Sequence, residues 1–404
     1  MKPIAITGLG AVTACGFGAD RLWDAAREGR SAVREVLFPR ILRQQVKQMA
    51  RIADADFAPL LETAKPRFQD RTAILGVAAA REAVARAGLG PEDFGERCAI
   101  VVGSGLGGAE TIEQGYIRFV EDPAARSDVM AIPKLMANST ASWIAMEFKA
   151  TGPTLCISTA CSSSTQSIGL AADLIRAGIV DRCLAGGAEA LLIDGAFTAW
   201  EALHVMTTSH CRPFSRERSG MVLGEGAGVV VLESMEAAAA RGATVLAELV
   251  GYATNADASD LLRPDQTGAT TCIRKAVESS GVDPARIGYV NAHGTGTIAN
   301  DLTETNALRT VFGDAFDGLA VSSTKPIHGH ALGAGGALEF IVTVEALRAQ
   351  IAPPTINFLG VDPKLGFEPV PNVARPFAAD AAMSNSFAFG GINASLVVTL
   401  PRRG

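Results

Sequence analysis

Apolar runs of strand length alternate along this chain with longer segments whose apolar residues recur at helical spacing. The segment AILGVAAAREAVARAGLGPEDFGERCAIVVGSG, residues 73–105, predicts an amphipathic helix, a Gly-Pro turn and a buried strand that ends in glycine. The segment CIRKAVESSGVDPARIGYVNAHGTG, residues 272–296, predicts the same order of elements. Such alternation favours an α/β fold in which parallel sheets are buried on both faces.

A second pair of similar segments follows, one after each of the first. PTLCISTAC, residues 153–161, predicts a strand that leads into a helix from Ser162. GLAVSSTKPIHGHALGAGGALEFIVTVEAL, residues 318–347, predicts a strand, a short loop and a helix that starts near His330. The repeated order indicates a duplicated architecture.

The duplication predicts two related halves, residues 1–249 and residues 250–404. Equivalent strand-to-helix turns of the two halves then lie near each other at a pseudo-twofold axis. One site could therefore draw Cys161 from the first half and both His293 and His330 from the second.

Composition and charge exclude several classes of function. The 404 residues are 48% hydrophobic and 19% charged, and the net charge of −6 argues against a general nucleic-acid binder. No apolar stretch reaches membrane-spanning length, and the start MKPIAITGLGAV predicts a strand and a turn, not a secretory signal. The seven cysteines are scattered without a CxxC pair, which favours reduced thiols in a cytoplasmic protein and no metal site.

The stretch STACSSS raises the question of which side chain is the nucleophile. Cys161 opens a predicted helix, and a helix N-terminus contributes about 0.3–1 kcal/mol to a negative charge, up to ~2 when partly buried. At ~1.36 kcal/mol per pKa unit, this effect predicts a thiol pKa lowered by roughly one unit. The serines 162–164 lack such chemistry and are expected to cap the helix and form its first turn. Cysteine is therefore the expected nucleophile.

Two of the five histidines occupy equivalent turns of the repeat. His293 in NAHGTGT lies at a predicted strand end, and His330 in KPIHGHALGAGG lies at a predicted helix start. His328 is expected to be solvent-facing or structural. His204 and His210 lie in a polar loop without a partner motif.

Two glycine-rich stretches need interpretation. GSGLGG, residues 103–108, formally matches a dinucleotide fingerprint, but no strand with a terminal acidic residue follows about 20 positions on. NSFAFGGINAS, residues 385–395, is either a hairpin turn or a loop that offers backbone N–H groups to a developing oxyanion beside two gating phenylalanines.

Four motifs in order, STACSSS, NAHGTGT, SSTKPIHGHALGAGG and NSFAFGGIN, resemble those of the β-ketoacyl-acyl-carrier-protein synthases, in particular the elongating, type II-like branch. The resemblance runs nearly end to end. It implies a thiolase-like fold, a five-layered αβαβα arrangement of two duplicated halves, and a homodimer, with a heterodimer with a chain-length partner as an alternative.

The resemblance also implies a ping-pong condensation. Cys161 would take an acyl chain from acyl carrier protein as a thioester. Malonyl-carrier protein would then lose CO₂, and the carbanion would attack that thioester and lengthen the chain by two carbons. Substrates would arrive on the phosphopantetheine of the carrier protein, so no separate cofactor and no metal are expected.

The roles that the resemblance implies for individual residues fall into seven groups. His293 and His330 would hydrogen-bond the malonyl thioester carbonyl, and Lys325 would organise the site with Glu339. The N–H groups of Cys161 and Phe389 would form an oxyanion hole, Phe387, Ala388 and Phe389 would form a gate, and Asp301 and Glu304 would support the site. Thr295 and Thr297 would bind pantetheine, and Leu106, Met221 and Ile392 would line the acyl pocket. Lys65, Arg67 and Arg71 would dock the carrier protein.

This chain departs from the family pattern around the gate and the pocket entrance. Ala388 and Ile392 replace a usual glycine and threonine, Ser215, Ser219 and Met221 stand where aspartates and phenylalanine are common, and LLRP replaces small hydroxylated residues. Alanine restricts φ where glycine does not, so altered gating is expected. The departures favour a specialised paralogue, in polyene, nodulation-factor or similar lipid synthesis.

Two other functions remain as alternatives, that of a thiolase and that of a chain-length-shaping partner subunit. A thiolase acting on coenzyme A thioesters would need a second cysteine in the C-terminal loop, yet no cysteine follows Cys272. The starter-condensing branch pairs its cysteine with histidine and asparagine, whereas the second partner here is His330. A non-catalytic, chain-length-shaping partner subunit would lack the nucleophile, whereas Cys161 is present.

Overall fold

The computed structural model describes residues 1–401, most of whose strands belong to one 11-stranded sheet. The sixteen strands are β1 (Ile4–Thr13), β2 (Gly16–Phe17), β3 (Arg34–Glu35), β4 (Gln48–Ala50), β5 (Cys98–Gly103), β6 (Thr154–Ile157), β7 (Arg182–Glu189), β8 (Leu223–Gly224), β9 (Gly226–Ser234), β10 (Ala247–Ala256), β11 (Ile287–Asn291), β12 (Ala320–Ser322), β13 (Ile351–Ala352), β14 (Arg375–Pro376), β15 (Ala381–Ala388) and β16 (Ile392–Thr399).

Thirteen α-helices connect or follow these strands in the described part of the chain. They are α1 (Ala19–Glu28), α2 (Asp54–Leu61), α3 (Arg71–Ala87), α4 (Ala109–Glu121), α5 (Ala131–Leu135), α6 (Ser139–Phe148), α7 (Ser163–Arg176), α8 (Asp194–Ala202), α9 (Met235–Ala240), α10 (Gln266–Ser280), α11 (Ile298–Phe312), α12 (Lys325–His328) and α13 (Gly335–Ala349).

The large sheet consists of two halves with the same strand order and directions. The first half runs β6-β5-β7-β9-β1 and the second runs β12-β11-β15-β16-β10. In each half the first three strands are parallel and the last two connections are antiparallel. Strands β1 and β10 join the halves through three antiparallel residue pairs, Ile4 with Leu249 to Ile6 with Ala247. The proposed boundary between residues 249 and 250 falls inside β10 and stays a prediction.

Helices α7 and α13 form a central layer between the two halves. Helix α7 contacts β5, β7 and β9 of the first half as well as β10 and β16 of the second. Helix α13 contacts β11 and β15 of the second half as well as β7 and β9 of the first. Helix α3 covers the outer face of the first half, and α10 covers that of the second. This arrangement confirms the five-layered αβαβα fold.

Small residues allow the central helices to approach each other and the sheet. A Cβ added at Gly336 of α13 would lie 2.0 Å from Oγ1 of Thr165 in α7. A Cβ at Gly187 of β7 would lie 2.6 Å from the carbonyl oxygen of Gly333, which precedes α13. Both distances are far below van der Waals contact, so only glycine fits at either position.

Both central helices begin with the same unusual backbone turn. The 3-10 turns Ala160–Ser162 and Leu332–Ala334 directly precede α7 and α13. The first residue of each turn is left-handed, with φ of 50° at Ala160 and 45° at Leu332. Such a conformation costs a non-glycine residue about 1–3 kcal/mol and is concentrated at functional sites. The duplication thus places two strained turns close together at the centre of the molecule.

Residues 1–401 contain neither a membrane-spanning helix nor a disulfide bond. No helix there is both long and apolar enough to cross a membrane. All seven cysteines, which lie in this range, are unpaired.

Candidate active site

The Cys161 thiol lies in the first of these turns, where three N–H groups surround it. Its sulfur is 3.1 Å from Nε2 of His330, and the backbone N–H groups of Cys161 itself and of Phe389 also donate to it. The turn that precedes α7 therefore brings the predicted nucleophile to residues of the second half of the chain.

The side chains of the neighbouring serines form hydrogen bonds with backbone groups. Ser162 Oγ donates to the carbonyl of Thr159, and Ser163 Oγ donates to the carbonyl of Ala160. Ser164 Oγ accepts from the N–H of Ala337 in α13. Ser163 and Ser164 form the first turn of α7 as expected, but the capping expectation is wrong, because Ser162 at the N-cap position makes no side-chain hydrogen bond to an N–H group of α7.

The predicted lowering of the thiol pKa is wrong. Burial raises the pKa of Cys161 to about 12, although the nearby Lys325 ammonium and the backbone N–H groups lower it. Desolvation disfavours the charged form of a thiol, and for a fully buried group it exceeds the effect of a helix N-terminus. The resting thiol is protonated.

The imidazole of His330 is held as a hydrogen-bond donor. The backbone N–H of Leu332 donates to Nδ1 of His330 over 3.3 Å, so the ring proton resides on Nε2, which faces the sulfur. Burial, together with the charge of Lys325, lowers the pKa of His330 well below its usual value. A neutral ring with its proton on Nε2 can donate to negative charge but cannot take a proton through that nitrogen.

His293 presents a second N–H donor by a different route. The Lys325 ammonium, which has only donors, lies 3.3 Å from Nδ1 of His293 and also donates to the His293 carbonyl over 2.5 Å. The proton of His293 therefore resides on Nε2. Burial and the charge of Lys325 lower the pKa of His293 well below its usual value. The two imidazole rings are 5.4 Å apart and nearly perpendicular to each other.

Buried carboxylates hold the loops that carry these donors. Glu339 of α13 pairs with Lys325, as the resemblance implied. Glu304 accepts from the N–H groups of His293 and Gly294 over 2.9 and 2.8 Å. Burial raises the pKa of Glu304 to about 7.

Asp301 holds the next part of the same loop. Its carboxylate accepts from the N–H groups of Phe214 and Gly296 over 2.7 and 3.2 Å. Both predicted supporting residues, Asp301 and Glu304, thus contact the backbone and do not enter the cavity.

Cys161, His293 and His330 are also close enough together to suggest a metal site, since one ligand atom of each lies within 4.8 Å of the others. The donor chemistry argues against this use. Nε2 of His330 carries the proton, and the Lys325 ammonium occupies the space beside Nδ1 of His293. A metal ion needs unprotonated nitrogen ligands, and a neighbouring cation repels it.

The predicted gate and pantetheine residues line one cavity of about 140 Å³ that contains Cys161 and both histidines. Thr295 and Thr297 line it and hydrogen-bond each other over 2.8 Å. The other predicted residues in its wall are Met221, Phe387, Ala388 and Phe389, and its outer part includes residues 261–264 of the LLRP stretch.

The glycine-rich C-terminal stretch is a hairpin turn, and its role as an oxyanion donor and gate stays a prediction. Strands β15 and β16 form a hairpin, and Phe389 in its turn directs its N–H to the Cys161 sulfur. The Phe389 ring stacks on Trp200 with centroids 5.8 Å apart, and Gly390 N–H donates to the carbonyl of Leu261 over 2.7 Å. The turn is thus tied to both sides of the cavity.

Three predicted site residues need correction. Leu106 does not line this cavity, and 55% of its surface is exposed. Ile392 begins β16 beyond the gate turn and is not in the cavity wall. Arg71 is not free to dock a partner, because its guanidinium pairs with the buried Glu225 at 2.7 Å and stacks over Phe57.

The remaining predictions concern residues outside the cavity. Lys65 and Arg67 are exposed, so both remain candidates for docking. His328 is fully buried and bonded to Thr324, which excludes the solvent-facing alternative. His204 and His210 are exposed and away from the site.

Sequence analysis missed Trp200 and Glu189. Trp200 lies in the last turn of α8, where nothing in the sequence marks it. Glu189 ends the buried strand β7, and its carboxylate accepts from the N–H groups of Gly105 and Leu106 in the GSGLGG stretch. An acidic residue at the end of an apolar strand was the available signal. These contacts occupy N–H groups that a dinucleotide phosphate would need.

Comparisons with known proteins agree on one family. The family model described as β-ketoacyl synthase, N-terminal domain, matches residues 1–238, and that of the C-terminal domain matches residues 246–359. Nodulation protein E of Rhizobium sp. (strain N33) is 40% identical over 400 residues, 98% of either chain. The 3-oxoacyl-[acyl-carrier-protein] synthase 2 of Synechocystis sp. is 34% identical over 404 residues, 98% of this chain and 97% of the relative.

A solved structure supports the same assignment. The ishigamide ketosynthase/chain length factor superposes with a TM-score of 0.94 at 33% identity and covers 99% of this chain and 100% of its own.

The raised pKa of Cys161 predicts how its alkylation depends on pH. Because the thiolate fraction grows about tenfold per pH unit below the pKa, the rate of reaction with iodoacetamide should rise about tenfold per pH unit, roughly a thousandfold from pH 7 to pH 10, without levelling. Mass spectrometry would measure the label, with Cys161→Ala as the control that identifies its site. A plateau below about pH 8 would instead support the lowered pKa expected from the helix start.

Proposed function

The chain belongs to the β-ketoacyl synthase family, acyl-transferring condensing enzymes of thiolase-like fold, and on this basis we propose the following reaction and roles for its residues. The protein joins malonyl-carrier protein, with loss of CO₂, to an acyl group held on Cys161. The product is a 3-oxoacyl-carrier protein two carbons longer. The observation that carries the proposal is the meeting of one thiol with two neutral imidazole donors from the other half of the chain.

In the first step the Cys161 sulfur attacks the carbonyl carbon of the acyl thioester. The new S–C bond forms as the bond to the pantetheine sulfur breaks, and the thiol proton goes to that departing sulfur. The backbone N–H groups of Cys161 and Phe389 point to the place where the carbonyl oxygen gains negative charge. Such preorganised donors commonly supply ~2.7–4 kcal/mol of transition-state stabilisation.

In the second step malonyl thioester occupies the space beside His293 and His330. Cleavage of its C–C bond releases CO₂ and leaves the electron pair on an enolate, whose oxygen accepts from the two Nε2–H groups. The enolate carbon then attacks the Cys161 thioester, and the cysteine sulfur leaves as a thiolate that takes up a proton from water to restore the thiol. A low pKa keeps each ring neutral, so each donates a hydrogen bond without giving up its proton.

The pathway is proposed to be a specialised one, not general fatty-acid synthesis. Ala388 replaces a glycine of the usual gate, and Trp200 stacks on the adjacent Phe389. The apolar residues Leu261 and Leu262 line the outer cavity. The similarity to nodulation protein E agrees with a role in the synthesis of an unusual acyl chain.

A second candidate function is that of a chain-length-shaping subunit of a heterodimeric ketosynthase. The similarity to a ketosynthase/chain length factor assembly makes it worth stating. The complete set of Cys161, His293 and His330 favours the catalytic partner in any such pair, because a purely shaping subunit needs none of them.

Acyl carrier protein is the proposed substrate-bearing partner. Carrier proteins are acidic, and this chain has a net charge of −6, so docking requires a local cationic surface. Lys65 and Arg67 are exposed, and neither forms an ion pair within 4 Å in residues 1–401. With Arg71 withdrawn, these two form the proposed docking surface.

A second ketosynthase-like chain is the other proposed partner. Helix α4 exposes Tyr116, Phe119 and Val120 on one face, and this face borders a groove of about 560 Å³. Strand β6 is the edge of the large sheet and exposes Leu155. An exposed apolar helix face and an unpaired strand edge are each characteristic of a subunit interface. A homodimer is the first proposal, and a heterodimer is the alternative.

Substitution of the nucleophile tests the proposed reaction. Cys161→Ala should abolish acyl-enzyme formation, because no other thiol faces the imidazole donors. Intact-mass spectrometry after incubation with a panel of acyl-carrier proteins would measure the retained acyl group and identify the preferred chain length. Cys15→Ala serves as the matched control and should be acylated like the natural protein. An acyl adduct retained on Cys161→Ala would refute the assignment.

Reversal of one surface charge tests carrier-protein docking. Arg67→Glu should raise the KM for acyl-carrier protein roughly tenfold, equal to about 1.4 kcal/mol, by repelling the acidic partner. The rate with a short acyl-pantetheine thioester should not change. Arg286→Glu, at a surface ion pair with Asp380, is the control. Equal loss in both variants would argue against a specific docking surface.

Sedimentation velocity tests the subunit interface. The natural chain should sediment as a dimer, and Phe119→Glu should shift it toward the monomer because the charge would be buried against the partner. Leu359→Glu, which changes an equally exposed leucine in the second half of the chain, should leave the dimer intact. A monomeric natural chain would contradict the homodimer and leave the heterodimer to be tested by co-expression.

A further inference from the structure

Glu189 is a buried carboxylate that bridges the two halves of the chain through backbone groups. Its Oε2 accepts from Gly105 N–H over 2.5 Å in the first half and from Gly333 N–H over 3.1 Å in the second. Its Oε1 accepts from the hydroxyl of Ser104 and from Leu106 N–H over 3.3 and 3.4 Å. In residues 1–401 no lysine, arginine or histidine side-chain nitrogen lies within 4 Å of a carboxylate oxygen of Glu189, so Glu189 forms no ion pair there.

The space around this carboxylate is built to receive it. A Cβ at Gly105 would lie 2.7 Å from Oε2, and a Cβ at Gly333 would lie 2.5 Å from the same atom. Any larger residue at either position would displace the carboxylate or the backbone. A buried carboxylate without a cation needs several N–H or O–H donors, and here every donor comes from a loop beside the site.

The hydrogen bond between Glu189 and Gly333 is linked to Cys161 through Leu332 and His330. Gly333 is the middle residue of the turn Leu332–Ala334, whose first residue holds the left-handed φ of 45°. The N–H of Leu332 donates to Nδ1 of His330 over 3.3 Å, and Nε2 of His330 faces Cys161 over 3.1 Å. Release of Gly333 from Glu189 would let the strained turn relax and move the Leu332 N–H away from Nδ1.

We propose that Glu189 is a positioning residue which, through the turn Leu332–Ala334, keeps the proton of His330 on Nε2 and aims it at the reacting atoms. The proposal rests on the proposed function for its effect on condensation, but not for its effect on the tautomer. Without Glu189, His330 exchanges between its two tautomers and loses its fixed orientation. The donor to the enolate oxygen is then present for only part of the time.

Glu189→Leu is the principal variant, because leucine fills similar space and accepts no hydrogen bond. Gly333→Ala disturbs the same contact from the other side, since its Cβ occupies the place of Oε2. Glu233→Gln is the matched control. Glu233 is also a fully buried carboxylate at the end of a strand, but it binds Arg182, Arg241 and Thr7 and does not touch the turn.

Nitrogen-15 NMR of histidine-labelled protein measures the tautomer directly and needs no catalytic activity. In the natural protein, Nδ1 of His330 should resonate as an unprotonated nitrogen and Nε2 as a protonated one. In Glu189→Leu and Gly333→Ala both signals should move toward averaged positions. Glu233→Gln should keep the signals of the natural protein. Unchanged His330 signals in a folded Glu189→Leu or Gly333→Ala variant would overturn the proposal.

The kinetic measurement separates positioning from loss of stability. Glu189→Leu should lower the kcat for condensation about tenfold or more, with the KM for malonyl-carrier protein and the rate of Cys161 acylation changed less than about threefold. A role in stability alone would lower acylation and condensation equally, as Glu233→Gln should, and that result would overturn the proposal. If Glu189→Leu does not fold, Gly333→Ala decides by the same two measurements. If the natural protein shows the Nε2 tautomer but condenses nothing, the proposed function fails while the positioning role stands.

Discussion

Close packing of the two central helices is the constraint on which the site depends. Helix α13 can lie against α7 only because Gly336 leaves room for the side chain of Thr165. This approach brings the turns that precede both helices together at the pseudo-twofold axis. Cys161 belongs to one of these turns, and the other fixes the ring of His330. The left-handed backbone of both turns is a local cost that the surrounding packing offsets.

Burial determines the protonation states within this central layer. The thiol and both imidazoles are almost fully buried, so all three favour their neutral forms. The Lys325 ammonium is the one cation beside them in the described chain, and Glu339 compensates its charge. Such a buried pair is weak as a source of stability because desolvation offsets its attraction. The role of the pair is chemical, because the Lys325 charge, in addition to burial, lowers the pKa of both histidines. Lys325 also keeps the proton of His293 on Nε2.

The arrangement separates this protein from enzymes with similar residues. Both histidines act as donors, so neither suits a metal ion or a thiol-activating base through the nitrogen that faces the cavity. A thiolase needs a second thiol near the first, but Cys161 is the one cysteine in the wall of this cavity, and the Cys211 thiol donates to the carbonyl of Thr295. Departures from the family pattern lie in the cavity wall at Ala388 and in the stretch of residues 261–264, and Trp200 stacks on Phe389 beside that gate. The central residues shared with the family and the altered entrance together support the proposal of a condensing enzyme with a specialised acyl substrate.

The sequence by itself determined the fold class, the duplication, and the identity of Cys161, His293, His330, Lys325 and Glu339 as members of one site. The alternation of strands and helices, and its repetition in the second half, follow from local sequence patterns. The short motifs that contain glycine, cysteine and histidine can likewise be identified directly in the sequence. Only the tertiary structure decided the raised pKa of Cys161, the burial of Arg71 against Glu225, the exposure of Leu106 and the contacts of Glu189 and Trp200. Each of these depends on residues more than 80 positions apart in the chain or on exclusion of water by several layers, which no local pattern records.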